Sequence, residues 1–318
     1  MKKFMSMILA VMMIVSLFAG CGSKADDGVT KVAIVQQLDH ASLDEIRTAI
    51  EAVLTESGIE YKVFNGQNDT SILNQIGAQV VADDYDAIIP IATLAAQCMV
   101  TAADGKDIPI IYAACSDPES AGLTGMDNVT GTSDALNTRF IIDMMLAVNP
   151  DISCVGLLYS NSEINSETPI AEAKAYLDEK GISYLEKTGN AADEVITAAN
   201  ALVGRCDAVF TPTDNAIMNV AGTVADILNK AGIPHYTGAD SFVLAGAFTT
   251  CGVNYTELGT KTGQIAVEIL NGGTIGDFIV MDGGIITVNT DTADTLGIDY
   301  SVFSSMANTV NAVTTTVD

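Results

Sequence analysis

Short apolar runs alternate with segments of helical spacing along most of this chain, and that alternation restricts the fold more than any other feature. Residues 31–35, 61–64, 87–91 and 108–113 are too short for helices and read as strands, the most apolar of them suited to burial on both faces. Between them, 42–55, 70–82 and 93–103 carry helical spacing. In the first of these Leu43, Ile46, Ile50, Val53 and Leu54 share a face, Ser42 and Glu45 form a capping-box pattern, and Gly58 ends the helix. Strands joined by helices of this length pair in parallel, which predicts β-α-β units on a doubly wound sheet. A short strand with a glycine over 128–133 and a helix over 134–148 interrupt the rhythm. It then restarts with strands over 153–159, 182–187, 208–210 and 233–236 and helices over 169–180, 191–203 and 216–230. Each set has the size of a single domain, so the expected fold class is α/β with two similar parallel-sheet lobes. A strand over 246–253, a helix over 257–270 and a strand over 285–288 follow. Residues 301–318, rich in Ser, Thr, Asn and Val without a clear period, read as a weakly ordered tail.

The 318 residues are 48% hydrophobic, enough for one large core or two smaller ones. Forty acidic against 14 basic residues give a net charge of −26, which repels nucleic acid and anionic head groups and excludes both as partners of the folded domain. A small zwitterion held by local groups is compatible with that charge. The absence of Trp speaks against the broad aromatic platforms that saccharide clefts use.

The first 20 residues have the form of a secretory signal: Lys2 and Lys3, then an apolar core too short to span a membrane comfortably. Leu17-Phe18-Ala19-Gly20-Cys21 resembles the lipobox of bacterial lipoproteins, which implies lipid attachment at Cys21 and an extracytoplasmic, membrane-anchored protein. Residues 21–29 are small and polar, as a tether should be. Cys98, Cys115, Cys154, Cys206 and Cys251 form no metal-binding or disulfide pattern and are expected to be free thiols.

The segment Asp207 to Asn215 shows where chemistry should sit. Apolar Ala208-Val209-Phe210 breaks at Pro212 into Thr213-Asp214-Asn215, and a helical pattern follows. In an open parallel sheet, ligands bind just beyond the carboxyl ends of the strands. Asp214 and Asn215 are equally ordinary helix N-cap types. The arrangement recurs, however, at Gln36-Gln37 with His40, at Thr93, at Cys115-Ser116-Asp117, at Ser160-Asn161-Ser162-Glu163 and at Gly238-Ala239-Asp240. Two facing lobes would bring these groups to one cleft.

Several of these stretches resemble one family. They are Ile91-Ala-Thr-Leu-Ala-Ala-Gln97, Cys115-Ser-Asp-Pro-Glu-Ser-Ala-Gly-Leu123, Asn128-Val-Thr-Gly-Thr-Ser-Asp134, Gly156-Leu-Leu-Tyr-Ser-Asn-Ser-Glu-Ile-Asn-Ser166, Thr211-Pro-Thr-Asp-Asn215 and Asn254-Tyr-Thr-Glu-Leu-Gly-Thr-Lys-Thr-Gly263. In this order, over roughly residues 30–298, they are similar to the ABC-transporter substrate-binding lipoproteins of the aromatic amino-acid (tryptophan and tyrosine) type. The resemblance implies a type I periplasmic-binding-protein fold, two lobes joined by a three-strand hinge, and closure by hinge motion. Hinges are expected near 130–133, 244–246 and 278–285. Lobe one would then be 30–131 with 247–277, and lobe two 132–246 with 278–300.

The resemblance also implies a small ligand, most simply an amino acid, an ABC permease as partner, and a monomer. Arg47 and Arg139 fall inside helices and Arg205 precedes a strand, so the ligand carboxylate is expected at helix N-terminal N–H groups and hydroxyls around Thr93, Ala95 and Ser116, beside Asp117 and Ser133. Asp214, then Asp240, is the expected acceptor for the ammonium, with Asn215 adjoining. Asn161, Glu163 and Asn165 would close from lobe two and Gln37 from lobe one. His40 could touch the ligand or sit exposed in its loop; Tyr159, Tyr236 and Tyr255 could stack on it or serve the core. His40 and His235, the two histidines, stand in no catalytic spacing, and no phosphate-binding glycine loop follows the first strand, so no enzyme, metal or cofactor is expected. A sugar or nucleoside binder and a ligand-sensing receptor are the alternatives on the same fold.

Overall fold

Alternate residues of the first strand face different helices, and that division explains both layers of the first lobe. In the computed structural model, which describes residues 30–316, Val32 and Ile34 of β1 (Lys31–Gln36) pack with Ile46, Ile50 and Leu258, while Ala33 and Val35 pack with Leu73, Val80 and Met99. The first group belongs to α1 (Ala41–Glu56) and α10 (Tyr255–Leu270), the second to α2 (Thr70–Ala82) and α3 (Thr93–Ala102). Gly259 lets α1 and α10 touch backbone to side chain: a Cβ there would lie 2.4 Å from the carbonyl oxygen of Ile46.

With β2 (Glu60–Asn65), β3 (Ala87–Ile91), β4 (Ile110–Tyr112) and β5 (Val129–Ser133), β1 forms a parallel sheet ordered β2-β1-β3-β4-β5, extended beyond β5 by β11 (Ile279–Val280). The second sheet repeats the pattern. β6 (Cys154–Tyr159), β7 (Ser183–Thr188), β8 (Ala208–Thr211), β9 (His235–Thr237) and β10 (Thr249–Gly252) lie in the order β7-β6-β8-β9-β10. β12 (Ile285–Asn289) pairs antiparallel with β10, and β13 (Thr309–Val313) pairs parallel with β12. Val155 and Leu157 of β6 face the core shared with α4 (Thr138–Val148) and α5 (Glu167–Lys180). Leu158 faces that of α6 (Ala192–Asn200) and α8 (Ala221–Lys230). The architecture is two doubly wound parallel-sheet lobes, as the alternation predicts.

The chain passes between sheets at 134–137, 253–254 and 281–284. The first and third passages adjoin the expected hinges. The second does not fall at 244–246, because after α9 (Asp240–Leu244) the chain turns at Gly246 (φ 106) and completes β10 in the second sheet. Phe248 anchors that strand, its ring edge-on to Tyr236 at 5.4 Å. The helix expected over 216–230 is two, α7 (Asn215–Met218) and α8, and the one expected from 134 starts at Thr138, where Asn137 accepts from Phe140 N–H. Residues 301–316 are not a loose tail: Phe303 is fully buried against Phe248 and Tyr300, and β13 holds the sheet edge. One buried aromatic and a five-residue strand secured by backbone pairing carry too little periodicity to be seen in the sequence. Cys98, Cys115, Cys154, Cys206 and Cys251 are free thiols. The signal sequence 1–20, Cys21 and the tether through residue 29 lie outside the described residues.

Candidate functional site

In each five-strand order the direction of winding reverses at the second strand, between β1 and β3 and between β6 and β8, which opens a crevice at the carboxyl edge. The residues ending those strands are Gln36-Gln37 and Ala92-Thr93 in the first lobe, Ser160 and Pro212–Asp214 in the second. The two crevices face one another. Five side-chain bonds join them: Gln37 Nε2 to Glu163 Oε1 (3.3 Å), Ser42 Oγ to Asp240 Oδ1 (2.9 Å), Ser116 Oγ with Thr213 Oγ1 (3.0 Å), Thr168 Oγ1 to Asp117 Oδ2 (2.6 Å), and His40 Nε2 with Asn215 Oδ1 (3.4 Å). Between them lies a small cavity of about 30 Å³. That is room for about one water and far below the roughly 300–1,000 Å³ of small-molecule sites, so the lobes must stand further apart around a ligand than they do here.

The cavity has two chemically different ends. On the side of α3, Thr93, Ser116, Asn165, Thr213 and Asp214 line it with Asp134 and Tyr255. On the side of α1, α7 and α9, Leu43, Met218 and Phe242 make an apolar wall that also carries His40, Ser42 and Ser241. Ala92 and Ala114 line it as well, and both hold backbone conformations that alanine avoids, φ 75 and φ 54. Such strain gathers where backbone must be aimed. Ala92 is the N-cap of α3 and offers no side chain to the first-turn N–H groups; Gln37 Oε1 reaches that of Leu94 (3.1 Å).

Three buried carboxylates surround the polar end. Asp134 accepts from Ser116 Oγ (2.9 Å) and Tyr255 OH (3.3 Å), and burial raises its pKa. Asp214 caps α7 through Ile217 N–H (3.0 Å) and accepts from Ser160 N–H and Ser166 Oγ (2.7 Å each); burial raises its pKa against those bonds. Glu163 accepts from Gln37 and from Asn215 Nδ2 (3.0 Å), and burial together with the Asp214 charge pushes it up to about 8. None of the ion pairs among the described residues involves any of the three. Burial also lowers His40 to about 4, so its ring is neutral near pH 7.

Of the residues expected from the sequence, Thr93, Ser116, Asn165, Asp214 and Asn215 line the cavity. Gln37, Asp117, Glu163 and Asp240 bond across the lobes. Ser133 Oγ donates to Ser116 O and accepts from Ala135 N–H, shaping the first passage between lobes. Ala95 is buried within α3, and Asn161 is exposed with its N–H on Asn190 Oδ1; neither lines the cavity. Asp134, Ser42, Leu43, Met218, Ser241 and Phe242 line it without having been expected at the ligand, and Thr213 lines it from the strand-end cluster marked in the sequence. Asp134 closes the Asn128–Asp134 stretch and could have been found there. Leu43 and Phe242 carry only the signature of core residues. His40, for which a ligand contact and an exposed loop position were both open, and Tyr255 are lining residues.

The model of the family described as ABC transporter substrate binding protein matches residues 31–309. The chain is 32% identical to the tyrosine-binding protein of Clostridioides difficile over 320 aligned residues, 93% of this chain and 92% of that one. It is similar to the ABC domain in complex with L-Trp from Streptococcus pneumonia, at 29% identity and TM-score 0.83, covering 89% of this chain and 99% of that one. Against a ligand-free, open substrate-binding protein with adhesive properties from Clostridium difficile the identity is 31% but the TM-score 0.69, covering 91% and 100%. The lower score against an open structure accords with the five bonds that draw the lobes together here.

Proposed function

Because this chain belongs to the family of ABC transporter substrate-binding proteins, we propose that it captures an aromatic α-amino acid between its lobes and delivers it to a membrane permease for import. The family is non-enzymatic and works outside the cytoplasm; the lipobox-like Leu17–Cys21 supports anchoring through a lipid on Cys21.

The observation that carries this reading is the pair of buried carboxylates, Asp134 and Asp214, that no cation among the described residues meets, beside a Glu163 that holds its proton near neutral pH. A buried charge needs a partner of opposite sign. An α-ammonium placed against Asp134 and Asp214 supplies it with charge-assisted hydrogen bonds. The ligand carboxylate then meets the first turn of α3 and the Thr93 hydroxyl, where helix N–H groups favour an anion. The side chain lies toward Leu43, Met218 and Phe242, whose apolar surface suits an aromatic ring. A carbohydrate would bring no cation to the acidic end and would waste the apolar one.

Thermal-shift measurements across amino acids, sugars and nucleosides test this. A ligand at 100 times its Kd stabilises the folded state by about 2.7 kcal/mol, a clear rise in melting temperature. Aromatic L-amino acids should produce it, and their N-acetyl derivatives, which lack the ammonium, should not. A shift with sugars alone would reject the assignment. Mass spectrometry should find a diacylglyceryl group on Cys21; an unmodified thiol in the mature protein would remove the anchor.

A further inference from the structure

A second cavity, of about 170 Å³, opens where the chain makes its second passage between the lobes. Glu45 of the first lobe and Asp240 of the second line it, with the hydroxyls of Thr250 and Thr287 and the amide of Asn311. The two carboxylates are neighbours. Ser42 Oγ donates to Asp240 Oδ1 (2.9 Å), and Glu45 stands three residues further along α1, on the same face of that helix. Burial, and the charge of Glu45 with it, raise the pKa of Asp240. No Lys, Arg or His lines the cavity, and neither carboxylate belongs to an ion pair among the described residues. Thr287 adds an independent observation. Ile286 and Val288 on either side of it pack into the second core, so Thr287 points to the opposite face of β12, into this cavity. It is 6% exposed, and its hydroxyl has no hydrogen-bond partner among the described residues. A buried polar group in that state calls for a partner. Thr250 and Asn311 flank it in register on β10 and β13. Thr250 Oγ1 already donates to Thr237 O (2.6 Å), which leaves its oxygen as an acceptor.

Each of these side chains offers oxygen, two of them with a negative charge, and that is the ligand set of a hard cation. We infer that this cavity is a site for a divalent cation of calcium's kind, held between the Glu45 and Asp240 carboxylates, with Thr250, Thr287 and Asn311 meeting the ion or its waters. Two carboxylates match the double charge, and the space admits an ion with several waters. Ser42 holds Asp240 Oδ1, and the N–H and hydroxyl of Thr256 hold Glu45 Oε1, so each carboxylate is fixed through one oxygen and has a second for the ion. No three His, Cys, Asp or Glu among the described residues are grouped for a metal, so water completes the shell and the site is weak. It falls in the range of extracellular calcium modules, about 10⁻⁴–10⁻³ M, which suits a family that works outside the cytoplasm. The five residues come from α1, α9, β10, β12 and β13, so no spacing in the sequence announces them. Tyr255 lines both this cavity and the one between the strand ends, and separates the two. Because the ion would join a carboxylate of each lobe, it would favour the closed arrangement, where two like charges otherwise repel.

Isothermal titration of calcium chloride into the mature protein, stripped with EDTA and dialysed, tests this, with sodium chloride at matched ionic strength as the control. Calcium should bind saturably with a Kd of about 0.1–1 mM, and sodium should not. Glu45→Gln should weaken calcium at least about tenfold, and Thr287→Val, which keeps the shape but loses the hydroxyl, about 3- to 10-fold. Thermal melts without calcium check that both variants fold, and if one does not, the other decides. Small-angle X-ray scattering should show a smaller radius of gyration with calcium than without; an unchanged radius would overturn the bridge between lobes. No saturation by about 10 mM calcium, ten times the weakest Kd expected, would overturn the site. So would a Kd that Glu45→Gln or Thr287→Val leaves unchanged, since diffuse attraction to the acidic surface would then account for the binding. None of these results bears on whether the protein takes an amino acid, which the thermal-shift panel decides separately.

Discussion

Closure should be linked to protons, with a sign and a range set by two residues. In the closed arrangement Glu163 is pushed up to about 8 from 4.5, by burial and by Asp214 beside it; Gln37, Asn165 and Asn215 also face it, as hydrogen-bond donors. His40, facing Asn215 and Asp44, is lowered by burial from 6.5 to about 4. Separating the lobes breaks the Gln37–Glu163 and His40–Asn215 bonds and admits water, which returns both groups toward their ordinary values. Between pH 4.5 and 8 the closed form keeps a Glu163 proton that the open form loses, so closing takes up a proton and weakens as pH rises. Between pH 4 and 6.5 closing expels a His40 proton, so that contribution weakens as pH falls. The two oppose each other from 4.5 to 6.5 and leave Glu163 alone above it. Affinity should therefore be nearly level from about pH 5 to 6.5, fall at most about tenfold by pH 8, and level off beyond. That is an upper bound, since Asp214 shares a lobe with Glu163 and stays beside it when the lobes part. Burial raises Asp134 and Asp240 as well, in the same direction as Glu163. Calorimetry in buffers of different ionisation heat should show net proton uptake near pH 7. Glu163→Gln should abolish the fall above pH 6.5 and expose a new weakening below it. A level wild-type profile from pH 6 to 8 without proton uptake would refute the linkage.

Asp134→Asn should weaken amino-acid binding about 10- to 150-fold, the worth of a charge-assisted bond, while leaving the melting temperature of the unliganded protein unchanged or raised, because a buried charge disappears; calorimetry beside a thermal melt checks both, and unaltered affinity would remove Asp134 from the ammonium site. Gly259→Ala would place a Cβ 2.4 Å from the Ile46 carbonyl. Overpacking of about 1–3 kcal/mol should outweigh the roughly 1 kcal/mol that alanine gains in a helix, and denaturant unfolding should show the net loss. Phe303→Ala should cost about 3–5 kcal/mol in the same assay, and a loss near zero would mean that residues 301–316 contribute little to the second core.

The fold was legible because it rests on periodicity: β1, β3 and β6 are apolar enough to announce burial, and the helices between them carry their stripes on one face. What escaped was held by sparser information. The passage at 253–254 depends on a turn at Gly246 and on Phe248 finding Tyr236, pairings between residues that no local pattern connects. β13 is an edge strand of mixed polarity whose stability comes from the backbone of β12. Within the site, polar residues at strand ends were visible, whereas the wall of Leu43, Met218 and Phe242 was not, since an apolar side chain facing a cavity looks in the sequence like one facing the core.

Asp214 shows why the choice between helix cap and ligand group was the wrong division. It is a cap: Ile217 N–H bonds to Oδ1. Capping takes one face of one oxygen, however, while Ser160 N–H and Ser166 Oγ hold the other, and the carboxylate still lines the cavity. Those three bonds fix the position of the charge before any ligand arrives, so a cation that meets it need not order it. The same holds across the cleft, where Gln37 secures Leu94 N–H while bonding Glu163 of the opposite lobe. Residues that bond the first turns of these helices are thus held rigidly at the cavity before any solute arrives. A cleft assembled from strand ends obtains preorganised binding groups from the same bonds that terminate its secondary structure.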